Sequence, residues 1–452
     1  MLNSFSENFS PDGLLIAYQD QRIALEIAAH GIFGASGLNG RLPVSASKKY
    51  PVFSGISLQQ KRLPIVAMGS SDWLQEISFA SIDAFLEDAI ADSVFPGCQV
   101  LVAKDGHIIY HRAFGTHTYD DTLRKVELTD LYDVASVTKV AATALALMKL
   151  YDEKKFRLDD RVSKHLPWLR NTNKATITIR QVLAHQAGLR PSILTHTDEE
   201  LFSVTQDSIN FIPVANGFYT SRMAQDLLRE NVINSPLLNG RPYRYSDIGF
   251  YLMGELIHAL SGQTLDEYVT EHFYIPLELT HTTFNPTQRF PLSQIVPTEL
   301  DTAFRNQLVH GFVHDPTVAM LGGVGGSAGL FSNAEDLAII MQMLLNGGVY
   351  KGKQYISMPT IDLFTQRILR NNRRGAGFDK PDEDPSRNPA AESASPRSFG
   401  HSGFTGTLVW ADPKNQLVFI FLSNRIHPTA TNVRLLQQSF RPRLMQMFYD
   451  IL

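Results

Sequence analysis

The sequence predicts an α+β fold: one antiparallel sheet flanked by helices and interrupted by a large helical insertion. Two observations point there. Strand-like segments occur near both ends of the chain, at Gln99–Lys104 and His107–Phe114 and again at Thr407–Ala411 and Leu417–Ser423. The long stretch between them, about residues 140–370, is dominated by helical patterns and loops. Hydrophobic residues at 44% and charged residues at 19% supply an ordinary globular core.

The elements follow in order. Residues 1–70 form a separate piece, with a helical stretch from Gln21 to Ile32 and then a glycine-punctuated loop and short extended segment, Gly34 to Val44. A second unit, 71–452, becomes recognisable near Trp73. Ile82, Phe85, Leu86 and Ile90 recur at helical spacing until Pro96-Gly97 ends the run. Asp105-Gly106 between the first two strands is a strong hairpin signal, because both positions of a two-residue turn need positive φ. The polar stretch 372–398, rich in Arg, Asp, Pro and Ser, reads as a mobile surface loop. Asp412-Pro413-Lys414-Asn415 turns between the last two strands. Val433–Leu452 reads as a closing amphipathic helix.

Composition excludes several classes of function. With 41 basic against 45 acidic residues the net charge is −4, so there is no basic field for nucleic acid. The single cysteine, Cys98, rules out an internal disulfide and lacks the partners of a zinc site; its apolar surroundings mark a buried structural thiol. No apolar stretch is long enough to span a bilayer. Met1–Glu7 lacks the basic and apolar regions of a signal peptide, so export is not encoded there. His310 and His314 have helical spacing but no acidic or cysteine ligand set, so they read as scattered surface histidines. Gly322-Gly323 and Gly325-Gly326 lack the Lys-Ser/Thr of a phosphate loop and read as close backbone packing beside a cleft. No metal and no cofactor are expected.

Ser136-Val137-Thr138-Lys139 carries the chemistry. It sets a hydroxyl and an amine three residues apart before an alanine-rich helical run, so both fall on one face of a helix starting near Ser136. A serine is a weak nucleophile until a neighbouring group takes its proton, and a helix N-terminus favours developing negative charge. Alone, Ser136 reads equally as an N-cap, Tyr245 as a packing tyrosine and His401 as a surface histidine.

Together these residues change that reading. Residues 75–450 resemble the penicillin-recognising serine hydrolases, specifically the class C β-lactamase-like branch, and hence a β-lactamase/transpeptidase-like fold. Ser136–Lys139 matches S-x-x-K, Tyr245-Ser246-Asp247 stands at Tyr-x-Asn, and His401-Ser402-Gly403 stands at Lys/His-x-Gly. Supporting segments are Leu158–Val162 with Leu166-Pro167, Val182–Leu189 and Gly325–Ser332. The resemblance implies Ser136 as nucleophile, Lys139 as its base or electrostatic partner, and Tyr245 as proton shuttle near His401. It also implies an oxyanion hole from the backbone N–H groups of Ser136 and Phe404, with Asp247, Ser402 and Gly403 supporting the substrate. Two departures stand out. Asp247 turns an amide donor into an acceptor, with holding Lys139 or capping its helix as alternatives. His401 supplies less positive charge than lysine. Both argue against potent drug hydrolysis and toward an amidase, esterase or peptidase.

The N-terminal piece resembles the end of the C-terminal α/β domain of family 3 glycoside hydrolases, without a sugar-cleaving carboxylate. Members of that family act in peptidoglycan turnover, which implies a muropeptide or other small-molecule substrate and a fused or partner glycosidase module in a bacterial periplasm or outside the cell. The first expectation is therefore an N-acetylmuramoyl-L-alanine amidase. The alternatives are a carboxylesterase or D-alanyl-D-alanine peptidase with weak β-lactamase activity, and a binding or sensor module that is acylated without turnover.

Overall fold

The two ends of the chain build a single sheet because their strands are apolar on both faces. The computed structural model describes residues 15–17, 21–32, 38–45, 50–57, 78–119, 124–193 and 199–452. The principal helices are α1 (Arg22–Ile32), α2 (Ala80–Ala91), α3 (Ala144–Asp152), α4 (Arg222–Asn234), α5 (Asp247–Ser261), α6 (Ala334–Leu345) and α7 (Phe440–Ile451). The central strands are β1 (Gly97–Lys104), β2 (His107–Gly115), β3 (Phe399–Ser402), β4 (Leu408–Asp412) and β5 (Leu417–Ser423). They pair antiparallel throughout in the order β3-β4-β5-β1-β2. This is the α+β architecture expected from the sequence.

Alternation along each strand feeds two cores. Val100, Val102, Phe419, Phe421 and Trp410 point into one, shared with Leu86 of α2 and Leu444 and Phe448 of α7. Leu101, Val418, Ile420 and Val409 point into the other, shared with α6 and the helical insertion. Burial of both faces explains the uninterrupted apolar run Leu417–Leu422. The β1–β2 hairpin turns through Asp105 and Gly106 at φ 51° and 77°, the conformation that pair of residues favours.

Several expectations need correction. The closing helix is two pieces, Arg434–Gln437 and α7, separated at Ser439 with φ 48°. Residues 372–398 are only partly a surface loop: residues 383, 385–387, 392 and 393 are exposed, whereas Arg374 and residues 376–380 are buried and Ala390, Ala391 and Ala394 join the core under α7. Its buried charges find partners, Arg373 on Asp379 at 2.6 Å and Lys380 Nζ on Ser398 O at 3.0 Å, so polarity here does not by itself mean solvent. The insertion also carries small sheets, one of which pairs Leu330–Ser332 with Tyr132–Asp133 and Thr283–Phe284. Near the N-terminus, α1 forms where a helix was expected; the loop Gly34–Gly37 and the region around Trp73 lie outside the described residues. No helix among the described residues is long and apolar enough to cross a membrane.

Candidate active site

The strand Tyr132–Asp133 delivers the chain to Ser136 through a strained turn. Ala135 has φ 47°, a conformation costly for a non-glycine residue, and its N–H is held by Asp133 Oδ1 at 2.8 Å. Ser136 lies in a 3-10 turn, Ala135–Val137, followed by a π turn, Lys139–Thr143, before α3 begins. The expected regular helix start is thus replaced by wound and widened turns, a feature common at functional sites. Ser136 and Lys139 nevertheless share one face, with Lys139 Nζ 2.9 Å from Ser136 Oγ.

Tyr245 comes from the loop before α5. His185 and its neighbours fix that loop: Arg244 N–H donates to His185 O, Ser246 N–H to His185 Nδ1, and Asp247 N–H to Pro191 O. The His185 ring stacks on Tyr245 at 4.4 Å between centroids. As a result Tyr245 Oη lies 2.8 Å from Ser136 Oγ, across 109 residues of sequence. Asp247 opens α5 and accepts from Lys139 Nζ at 2.7 Å. The third acceptor on Nζ is Ser327 O at 2.8 Å. That carbonyl is placed by Gly326, where a Cβ would lie 2.1 Å from Phe250 O of α5, so the glycine-rich segment does pack closely beside the site. Burial alone would lower the Lys139 pKa; the Asp247 carboxylate and Tyr245 outweigh it, and the net shift is upward. Lys139 is therefore an ammonium whose three N–H groups meet three acceptors.

His401 lies one residue before the end of β3, 2% exposed, with its ring 6.0 Å from that of Tyr245. Its Nε2 faces Arg374, and Nδ1 faces Ser402 O. Gly403 has no room for a side chain: a Cβ would lie 2.0 Å from Thr407 Oγ1 and 2.5 Å from Val134 O. Thr405 and Thr407 donate to Asp133 O and Val134 O at 2.8 and 3.0 Å, clamping this loop to the Ser136 turn. The Phe404 backbone is thereby carried beside the residues preceding Ser136, while Phe404 as a residue is half-exposed, its ring stacked on His314 at 5.6 Å.

Sequence reasoning missed Arg374 and Asp379, which sit behind His401 and Tyr245 within the segment read as a mobile loop. Their only sequence signal is Arg373-Arg374-Gly375-Ala376-Gly377, an arginine pair followed by residues too small for a solvent-facing loop to require. An apolar-walled pocket opens beside Lys139's partners. Leu228, Ile248 and Val318 form its sides, and Asp247, Asp315 and Ser327 its polar part. Among the described residues no group of three or more His, Cys, Asp or Glu is arranged to hold a metal ion.

Comparison with known proteins places these features in a family. The family model described as "Beta-lactamase" matches residues 82–439. An Escherichia coli (strain K12) protein named "Putative D-alanyl-D-alanine carboxypeptidase" is 32% identical over 412 residues, covering 85% of this chain and 88% of that protein. A Salmonella typhi protein of the same name is 31% identical, covering 82% and 88%. Among solved structures, a penicillin-binding protein homologue from Caulobacter crescentus superposes with a TM-score of 0.60 at 21% identity, covering 84% of this chain and 98% of its own. A simvastatin synthase from Aspergillus terreus superposes with a TM-score of 0.60 at 18% identity, over 84% and 98%. At those identities the structural likeness speaks for the fold alone.

Proposed function

This chain belongs to the β-lactamase family and is a serine hydrolase, and on that premise we propose that it cleaves an amide of bacterial cell-wall peptide through an acyl-enzyme on Ser136. The observation that carries this reading is the double contact at Ser136 Oγ, with Lys139 Nζ at 2.9 Å and Tyr245 Oη at 2.8 Å. As an ammonium, Lys139 has no lone pair and cannot take the serine's proton. Tyr245 Oη is the other group in hydrogen-bond reach among the described residues. In the resting site the Tyr245 O–H donates to Ser136 Oγ. With substrate bound it turns to the scissile amide nitrogen, so that as Oγ attacks the carbonyl carbon the serine's proton passes to Tyr245 Oη and the phenol's own proton to the departing amine nitrogen, whose bond to carbon breaks. Water then attacks the ester along the reverse proton path and frees Ser136. Backbone N–H groups of Ser136 and Phe404 meet the carbonyl oxygen as charge develops, each worth about 3 kcal/mol in such sites.

Two amides of the polymer come into question. The names of the relatives support the D-alanyl-D-alanine bond over the amidase first expected from the N-terminal resemblance. The second reading, the amide between the lactyl group of N-acetylmuramic acid and L-alanine, is favoured by one feature of the site. Two cations near Ser136 are committed, Lys139 to Asp247 at 2.7 Å and Arg374 to Asp379 at 3.2 Å, which leaves these two poorly placed to meet a terminal carboxylate. Incubation with N-acetylmuramoyl-pentapeptide followed by mass spectrometry separates the readings: free D-alanine marks the carboxypeptidase, and intact peptide with free sugar marks the amidase. Neither product, alongside rapid p-nitrophenyl ester turnover, would rule out the cell-wall reading.

A further inference from the structure

We propose that Arg374 is a positioning residue that locks His401 in a single neutral tautomer and so holds the Tyr245 side of the site in register with Ser136. The inference rests on Ser136 and Tyr245 as the reacting pair, but not on which amide is cut. Arg374 is 5% exposed. Its Nη1 is 3.1 Å from His401 Nε2, its Nη2 is 3.2 Å from Asp379 Oδ2, and its Nε is 3.2 Å from Tyr243 Oη. The guanidinium carbon also lies 5.4 Å from the centre of the Tyr245 ring.

The tautomer follows from the chemistry of the partners. A guanidinium only donates, so the His401 Nε2 that faces it must present its lone pair. The other ring nitrogen, Nδ1, is 2.8 Å from Ser402 O, which only accepts, so Nδ1 must carry the proton. Neither partner can exchange roles, and a second proton on Nε2 would point at a permanent cation. The charged and titratable groups that face the imidazole are Arg374, Lys139, Asp379, Tyr245 and His185. Asp379, the only carboxylate among them, already accepts from Arg373 at 2.6 and 3.0 Å and pairs with Arg374. In keeping with this, burial first, then Arg374 and Lys139, push the imidazole down to about 3 against the smaller pull of Asp379. His401 is then neither a proton carrier nor a cationic anchor for substrate. It is the link through which a residue from the buried part of the 372–398 segment reaches the catalytic loop.

The full-length protein labelled with ¹⁵N-histidine tests this by NMR, the His401 signal being assigned from its loss in His401→Gln. The wild type should show a protonated Nδ1 and bare Nε2 from pH 5 to 8, with kcat on a p-nitrophenyl ester showing no inflection in the histidine range. Arg374→Met should release the tautomer, so that His401 shows both Nδ1–H and Nε2–H signals and an upward shift that burial and Lys139 still hold below the ordinary imidazole value, and should lower kcat about tenfold, with Arg374→Lys recovering part of it. His401→Gln, whose carboxamide oxygen can replace Nε2 as acceptor, should keep more activity than His401→Leu. An imidazolium in the wild type above pH 5, an unchanged single Nδ1–H tautomer with unchanged kcat in folded Arg374→Met, or His401→Leu outperforming His401→Gln would each overturn the proposal. If Arg374→Met does not fold, the wild-type spectrum and the two His401 variants decide.

Discussion

Replacing Asp247 by asparagine should convert a stabilising buried ammonium into a destabilising one. At the observed 2.7 Å the Lys139–Asp247 attraction is about 6 kcal/mol at an effective dielectric near 20. The Asp247 side chain is 36% exposed, so screening reduces the usable part to about 2–3 kcal/mol. Asparagine keeps a neutral acceptor for Nζ, so the hydrogen bond survives and mainly the charge is lost. A small offset comes from Asp315, whose carboxyl is raised first by burial and then by Asp247, and which the substitution relieves. The pH dependence has a definite sign. In the wild type the Lys139 value is raised above 10.5, so its stabilisation is present below that pH and is lost only as the pH climbs through the higher folded value. Without the carboxylate, burial dominates and the folded value drops below the unfolded one, so the variant gains stability as the amine deprotonates. Urea unfolding followed by tryptophan fluorescence should show a deficit of about 2–3 kcal/mol at pH 7 that shrinks by about pH 9.5. A deficit under about 0.5 kcal/mol at pH 7, or one equal at both pH values, would refute the reasoning.

Three further outcomes follow from the site. Ser136→Ala should abolish ester and amide turnover and the acyl adduct seen by intact mass, with Tm nearly unchanged because only one hydroxyl is removed; retained turnover would reassign the nucleophile. Tyr245→Phe keeps the ring stacked on His185 and should lower kcat by about 10²–10⁴ with little change in stability, measured by steady-state ester hydrolysis. Gly403→Ala forces a methyl against Val134 O and Thr407 Oγ1, so kcat should fall more than KM rises, together with a stability loss of about 1–3 kcal/mol in thermal unfolding. Loss of Tm without loss of kcat in that variant would show that the Phe404 loop is not coupled to the Ser136 turn.

Much of the fold was legible because its signals are local. The Asp105-Gly106 turn, the two-sided strands and the helical spacing of Ile82, Leu86 and their neighbours each depend on residues within a few positions. The spacing of Ser136 and Lys139 survived even though the turn between them is not regular α-helix. Residues 372–398 failed to be legible for the opposite reason. Their polarity matched that of a solvated loop, and only the pairing of Arg373 and Arg374 with Asp379, and of Ser395 with Asp412, made burial affordable.

The sequence by itself determined which residue types meet at the candidate site: a serine and lysine on one turn, a tyrosine before a helix, a histidine and glycine at a strand end. It also determined the antiparallel sheet, since the turn residues at Asp105-Gly106 and Asp412–Asn415 join successive apolar strands as hairpins. Only the tertiary structure decided that Lys139 remains a cation, because its state depends on burial weighed against Asp247, 108 residues away. Tertiary structure likewise brought Arg374 to His401 and Ser327 O to Lys139. Charge states and tautomers are properties of the assembled neighbourhood, because they depend on distances that sequence spacing does not give.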